Sequence, residues 1–135
     1  MPAVLVLEDD PSVRTTLCTM LMLAGFTTHY AVTVDEALAI LGREHVDAVS
    51  LDVRVPDPQG LERSGLSLLS MLRATPEHAA LPALIFTGMP LSVEEEDAAR
   101  RLNAPVFYKP QPYSVLIQHL NRQLQSRPSA PRLDN

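Results

Sequence analysis

The amino-acid sequence predicts an α/β domain built around a doubly wound parallel sheet. Five short apolar runs recur along the chain, and each is followed by an amphipathic stretch long enough to form a helix. This alternation is typical of parallel sheets that are covered by helices on both faces. The 135 residues fit one domain, and a hydrophobic fraction of 46% is sufficient to supply its core.

Each predicted strand is a short apolar run bounded by charged or turn-forming residues. The run 3–7 is apolar throughout, which is typical of a strand buried on both faces of a sheet. The run 28–32 is more polar and predicts a weaker strand. In chain order, the predicted strands are residues 3–7, 28–32, 47–52, 83–87 and 106–109.

The predicted helices have recognisable starts. Pro11 suits the first turn of the first helix, which is expected to end at Gly25. A hydroxyl residue followed three positions later by glutamate predicts a capping box, and this pattern begins at Thr33 and again at Ser92. In chain order, the predicted helices cover about residues 11–24, 33–41, 66–73, 92–102 and 113–125.

The order of these elements predicts a flavodoxin-like (βα)5 fold with strand order 2-1-3-4-5. In such sheets ligands bind beyond the carboxyl ends of the strands, near the point where the strand order reverses. The predicted domain covers residues 1–125. The segment 126–135 contains two prolines and little apolar sequence, so it is expected to be a disordered tail.

Composition restricts the partners and the compartment. The net charge of −5 argues against a nucleic-acid surface built on positive potential. Cys18 is the single cysteine, so no internal disulfide can form and a reducing compartment is expected. No apolar run has the length of a membrane span, and no leader pattern opens the chain. We therefore expect a cytoplasmic domain without membrane insertion and without direct contact with nucleic acid.

Polar residues lie at the ends of four of the predicted strands. Glu8 and Asp9 are at the end of the first, Asp52 of the third, Thr87 of the fourth and Lys109 of the fifth. Three neighbouring carboxylates would repel one another, and magnesium (Mg2+), which takes oxygen ligands, would remove that conflict. A carboxylate beside the ion could then attack phosphorus and form an aspartyl phosphate. An ammonium and a hydroxyl would complete the neutralisation of the phosphoryl oxygens.

Four motifs at these strand ends resemble the receiver domain of bacterial two-component response regulators, in the single-domain architecture of the chemotaxis type. The resemblance covers about residues 3–125. Each motif is weak alone, and together they are specific. The motifs are the acidic sequence 6–11, Leu51-Asp52 followed by Pro56, Phe86-Thr87-Gly88, and Tyr108-Lys109-Pro110.

The resemblance implies that Asp52 accepts a phosphoryl group from a sensor histidine kinase or a phosphotransfer protein. Lys109 would pair with that group, and the Thr87 hydroxyl would shift to bond it. The implied magnesium ligands are Glu8, Asp9, Asp52 and the backbone carbonyl of Arg54.

The same resemblance implies a signalling switch, not an enzyme, apart from catalysis of its own phosphorylation and dephosphorylation at Asp52. Phosphorylation would alter a surface that binds a downstream protein. The family pattern also allows a homodimer through the face formed by the fourth helix, the fifth strand and the fifth helix.

The loop after Asp52 is several residues longer than the family pattern. The third helix could begin at Gly60 or at Gly65, and we favour Gly65 because the leucines from Leu66 onward then form a helical stripe. The longer loop would lie beside the site, where it could gate access or contact a partner.

Three single positions also bear on the family's mechanism. Val106 stands where the family usually has a tyrosine or phenylalanine whose ring follows the moving hydroxyl, and Gly88 replaces the more frequent alanine. Arg54, two residues beyond Asp52, is expected to shield the phosphoryl group from water.

Two other functions are compatible with parts of the sequence. A constitutive protein-interaction module, an atypical receiver that is not switched by phosphate, would explain Val106 and the longer loop. A magnesium-dependent phosphohydrolase resembling the haloacid dehalogenase family would carry its nucleophile in Asp-x-Asp after the first strand. Here that strand ends in Glu-Asp-Asp, and the candidate nucleophile Asp52 lies on the third strand.

Overall fold

A computed structural model describes residues 1–126, in which one sheet of five parallel strands has the order β2-β1-β3-β4-β5. The strands are β1 (Ala3–Leu7), β2 (Thr27–Ala31), β3 (Ala48–Leu51), β4 (Ala83–Thr87) and β5 (Val106–Tyr108). The helices are α1 (Pro11–Leu23), α2 (Val34–Arg43), α3 (Gly65–Arg73), α4 (Val93–Arg101) and α5 (Tyr113–Ser126). A short 3-10 helix, Pro76–His78, follows α3. The predicted fold class and strand order are confirmed.

The predicted element boundaries differ from the observed ones by only a residue or two. The third helix begins at Gly65, as the leucine stripe predicted. Of the predicted tail, residues 126–135, Ser126 is the last residue of α5, and residues 127–135 lie outside the described residues. Among the described residues, no helix is both long enough and apolar enough to cross a membrane.

Alternation along β1 divides the core into two layers. Leu5 and Leu7 belong to a buried cluster with α2, α3 and α4, whereas Val4 and Val6 belong to a second cluster with α1 and α5. Every residue of β1 is buried, as its apolar sequence predicted. The helices on both faces therefore leave the ends of the strands as the accessible edges of the sheet.

Local capping fixes where the helices start. Asp10 caps α1, accepting from the amides of Ser12 at 2.9 Å and Val13 at 3.3 Å. Both hydrogen bonds of the predicted capping box are present at the start of α4. At α2 the box is half formed, because Thr33 accepts from the Glu36 amide while the Glu36 carboxylate accepts from an amide one residue before the cap.

Candidate functional site

Three carboxylates meet at the carboxyl ends of β1 and β3. Glu8, Asp9 and Asp52 each place one carboxylate oxygen within 4.8 Å of the other two. Glu8 and Asp52 are buried, at 2% and 5% exposure, whereas Asp9 is exposed. The Asp52 amide donates to the Leu7 carbonyl at 2.9 Å, which continues the pairing of β1 and β3 into the site. The structure thus brings together the acidic residues that the sequence predicted.

Lys109 provides the positive charge of this cluster. Its Nζ lies 2.8 Å from Glu8 Oε1 and 3.2 Å from Asp52 Oδ2, and it lies 5.5 Å from the centre of the Phe86 ring. The Lys109 amide donates to the Thr87 carbonyl at 2.8 Å, which holds the start of the following turn against β4. The peptide bond between Lys109 and Pro110 is cis.

The ionisation of the cluster reflects its burial. Burial raises the pKa of Glu8 to about 7, the charge of Asp52 adds to this rise, and the ammonium of Lys109 opposes it. Burial alone would lower the pKa of Lys109, but its hydrogen bond to Glu8 and the charge of Asp52 raise it overall. The lysine therefore remains protonated, and it offsets only part of the negative charge of the three carboxylates.

Thr87 ends β4 at the same edge of the sheet. The residue is fully buried, and its Oγ1 has no hydrogen-bond partner among the described residues. A buried hydroxyl without a partner is uncommon in native proteins and calls for an explanation. A methyl group at the neighbouring Gly88 would lie 3.5 Å from Cδ of Lys109, an ordinary contact, so glycine in place of alanine is a mild change.

Arg54 lies between the acidic cluster and α4. Its amide donates to Asp52 Oδ1 at 3.4 Å, while its guanidinium donates to both carboxylate oxygens of Glu95 and to the Pro90 carbonyl. This hydrogen-bonded pairing holds the pKa of Glu95 down at about 2. The position of Arg54 two residues after Asp52 predicts that it lies near the site. Its pairing with Glu95 was not predictable from the sequence, since no local motif links two residues 41 positions apart.

The longer loop is organised around Arg63. Its guanidinium binds Asp57 at 2.8 Å and 2.9 Å and Asp35 of α2 at 2.8 Å and 3.0 Å, and the Arg63 amide also donates to Asp57. Asp57 accepts as well from the amide of Gln59, which closes a turn within the loop. The extra length of the loop is visible in the sequence, but these contacts are not, and the only local signal is the Asp-x-x-Gly turn pattern at residues 57–60.

Three consecutive residues of β5 alternate between the two core layers. Val106 and Tyr108 pack with the cluster that contains α2, α3 and α4, and Phe107 packs with the cluster that contains α1 and α5. Phe107 therefore faces away from the side of the sheet on which Val106 lies, as alternation along a strand requires. At the position where the family usually has a tyrosine or phenylalanine, this core layer therefore contains the side chain of Val106.

Solved structures share this architecture. The crystal structure of a response regulator receiver protein from Pseudomonas putida is 28% identical, with a TM-score of 0.79 over 90% of this chain and 96% of that one. The CheY-like receiver domain protein of Methanospirillum hungatei has a TM-score of 0.82 over 93% and 94% of the two chains, at 21% identity. The fold and the acidic site thus define a CheY-like domain.

Sequence relationships give the family. The family model of the response regulator receiver domain matches residues 4–121. The response regulator MprA of Mycolicibacterium vanbaalenii is 34% identical over 112 residues, which are 83% of this chain and 45% of that protein. The regulatory protein AtoC of Escherichia coli is 30% identical over 128 residues, 91% of this chain and 26% of that protein.

This chain belongs to the response regulator receiver domain family of two-component systems. It spans about a quarter of AtoC and less than half of MprA. Nothing in these comparisons favours the alternative of a constitutive module that is not switched by phosphate.

Proposed function

We propose that this chain is the phosphoacceptor module of a two-component phosphorelay and that Asp52 receives the phosphoryl group. The donor would be a phosphohistidine on a sensor histidine kinase or a phosphotransfer protein. The observation that supports this function most directly is the ammonium of Lys109, which contacts Asp52 and Glu8 together beside the exposed Asp9. A lone surface carboxylate would have no need of this arrangement.

The donor set fits magnesium. Glu8, Asp9 and Asp52 offer hard oxygen ligands that lie close together, and Lys109 leaves part of their charge uncompensated. These three carboxylates and the backbone carbonyl of Arg54 would hold the ion. When bound, magnesium would supply positive charge to the carboxylates and to the oxygens of the transferred group.

The residues of the chain then have separate tasks. An oxygen of Asp52 attacks phosphorus, an O–P bond forms, and the P–N bond to the donor imidazole breaks. Lys109, already 3.2 Å from Asp52 Oδ2, pairs with the phosphoryl oxygens. The buried hydroxyl of Thr87 gains a hydrogen-bond acceptor in the phosphoryl group. Hydrolysis of the same bond at Asp52 would reset the domain.

The output would act through another protein. The receiver unit would comprise residues 1–125, and the response would alter the face formed by α4, β5 and α5, which would bind a downstream protein or a second copy of the chain. The cytoplasm is the compartment we propose for this exchange, in keeping with the single cysteine.

Incubation with acetyl phosphate tests the acceptor. With Mg2+, we expect intact-mass spectrometry to show one added phosphoryl group in wild type and none in Asp52→Asn. Asp97→Asn, a substitution at an exposed aspartate of α4, is the matched control and should be phosphorylated normally. Modification that persists in Asp52→Asn would show that the acceptor is another residue. The proposed function would be refuted if wild type gained no mass with acetyl phosphate and showed no nuclear magnetic resonance shifts with beryllofluoride.

A further inference from the structure

We propose that Arg54 is the positioning residue through which phosphorylation of Asp52 reaches α4. In the unphosphorylated chain its guanidinium binds Glu95, and on phosphorylation it transfers to the phosphoryl oxygens and releases the first turn of α4. This inference rests on the proposed function, because it needs a phosphoryl group on Asp52.

Arg54 is joined to the acceptor and to α4 at the same time. Its amide lies 3.4 Å from Asp52 Oδ1, so its Cα is fixed beside the carboxylate that would carry the phosphoryl group. Its side chain extends to Glu95, where Nη2 lies 2.9 Å from Oε1, and Nη2 also lies 3.5 Å from the Pro90 carbonyl. Arg54 therefore contacts both the phosphorylation site at Asp52 and the first turn of α4.

The contact on α4 is part of the structure that begins the helix. Glu95 is the third residue of α4, and its Oε1 accepts both from Arg54 and from the amide of Ser92 at 2.9 Å. The Ser92 hydroxyl in turn accepts from the Glu95 amide at 3.1 Å. Because the ion pair and the capping box share one carboxylate, loss of Arg54 from Glu95 loosens the helix start.

Phosphorylation supplies the force for the transfer. A phosphoryl group carries a charge of about −2 and places three strong acceptor oxygens directly beside the backbone of Arg54. Arginine binds phosphate in the same forked geometry as it binds carboxylate, so the new group competes with Glu95 for one guanidinium. The side chain of Arg54 is 45% exposed and that of Glu95 26%, so the guanidinium can exchange partners without crossing the core.

The aromatic ring that usually follows the movement of the hydroxyl in this family is missing in this chain. Val106 has no ring to follow the hydroxyl of Thr87, and Phe107 packs with the opposite core layer. The loop 88–92 links Thr87 to the start of α4, and Pro90 in that loop is itself bonded to Arg54. If Arg54 couples phosphorylation of Asp52 to this loop and to α4, the coupling does not require a movable aromatic side chain.

Nuclear magnetic resonance with beryllofluoride and Mg2+, a non-hydrolysable stand-in for the phosphoryl group, tests the inference. In wild type we expect shifts of the Arg54 Nε–H signal and of the amides of residues 92–96. Arg54→Ala should abolish the shifts of these amides while the signals of Asp52 and Lys109 still move. Glu95→Gln keeps an acceptor for the Ser92 amide but removes the charge. It should speed hydrogen exchange in the first turn of α4 by about 2- to 5-fold without the probe.

The charge-swapped double variant separates switching from simple stabilisation. Arg54→Glu combined with Glu95→Arg should restore the ion pair and slow the exchange of the α4 amides, but not the response to beryllofluoride. A negative charge at position 54 is repelled by the probe. Arg101→Ala, which removes the exposed ion pair with Asp97 on the same helix, is the control and should keep the response.

Three results would overturn the inference while the proposed function stands. They are wild-type α4 amides that do not move although Asp52 and Lys109 report binding, an Arg54→Ala variant that still transmits the response, and a charge-swapped variant that responds like wild type. Wild-type spectra that beryllofluoride leaves unchanged throughout would refute the proposed function and the inference together.

Discussion

At the scale of single residues, the site combines a lysine that offsets part of the negative charge of its carboxylates with one hydroxyl that has no partner among the described residues. Lys109 bridges Glu8 and Asp52, so each buried carboxylate has a cation within hydrogen-bonding distance. Thr87 Oγ1 is buried and has no partner among residues 1–126. The contacts of Lys109 stabilise the unphosphorylated state. The unpartnered hydroxyl of Thr87 destabilises that state until it gains a hydrogen-bond acceptor.

Thr87→Val tests this interpretation of the hydroxyl. Replacing an unpartnered buried hydroxyl by a methyl group of similar shape should stabilise the unphosphorylated chain by about 1 kcal/mol, measured as the free energy of unfolding in urea. The same variant should bind beryllofluoride more weakly, because the hydroxyl no longer donates to the probe.

Thr33→Val is the matched control, since it makes the same substitution at a hydroxyl that accepts from the Glu36 amide. It should destabilise the chain by about 1 kcal/mol, as the loss of a helix cap does. Destabilisation of Thr87→Val to a similar extent would show that the Thr87 hydroxyl is already satisfied in the unphosphorylated chain.

At the scale of elements, the connection from β3 to α3 is fixed at both ends. Arg63 holds its later part to Asp35 of α2, and Arg54 holds its beginning to Glu95 of α4. The start of α3 is fixed as well, because Gly65 packs directly against the backbone of Asp52. The position of the acceptor thus depends on three helices that lie on one face of the sheet.

Gly65→Ala should disturb this arrangement. A Cβ at position 65 would lie 2.1 Å from the Asp52 carbonyl oxygen, and backbone at that distance must shift. We expect a loss of about 1–3 kcal/mol in the free energy of unfolding, together with slower phosphorylation of Asp52 by acetyl phosphate.

Gly42→Ala provides the comparison for this substitution. Gly42 lies within α2, and an added Cβ there would meet no atom within 4 Å apart from its chain neighbours and the backbone of its own helix. Because alanine favours helix over glycine, this variant should gain about 0.5–1 kcal/mol and phosphorylate normally. Equal stability of the two variants would contradict the close packing of Gly65 against Asp52.

At the scale of the whole molecule, which has a net charge of −5, contacts between arginines and carboxylates affect how the stability of the fold changes with pH. Hydrogen bonds from Arg63 lower the pKa of both Asp35 and Asp57 below their ordinary value of 3.8. A carboxyl group whose pKa is lower in the folded chain contributes stability above its unfolded pKa. That contribution is lost as the pH falls through the folded value.

Arg63→Met should therefore reduce stability at pH 6. The gap from wild type should begin to narrow below about pH 4 and should close only as the pH falls through the lower folded pKa values of Asp35 and Asp57. Urea unfolding at a series of pH values measures this gap. Arg101→Met removes only an exposed ion pair and should stay close to wild type throughout. A gap for Arg63→Met that does not narrow at all as the pH falls from about 6 to about 2 would show that the arginine acts through packing and not through its charge.

Much of the fold was predictable because its signals are local. Alternating apolar runs and amphipathic stretches predicted the five strands and their order, and Pro11, Gly25 and the Ser92 box predicted helix ends. The members of the acidic cluster were predictable once the strand order was known, since parallel strands end at one edge. The box at Thr33 was only half right, because the Glu36 carboxylate accepts from the amide of Val32.

The sequence by itself determined the fold class, the family and the identity of the residues at the strand ends, because periodicity, capping and strand-end motifs are written in neighbouring positions. Only the tertiary structure decided that Arg54 binds Glu95, that Arg63 joins Asp57 to Asp35, and that the Thr87 hydroxyl has no partner among the described residues. Long side chains such as arginine bind groups that are close in the folded structure but far apart in the chain. Burial and hydrogen bonding at such positions depend on every element that packs around them.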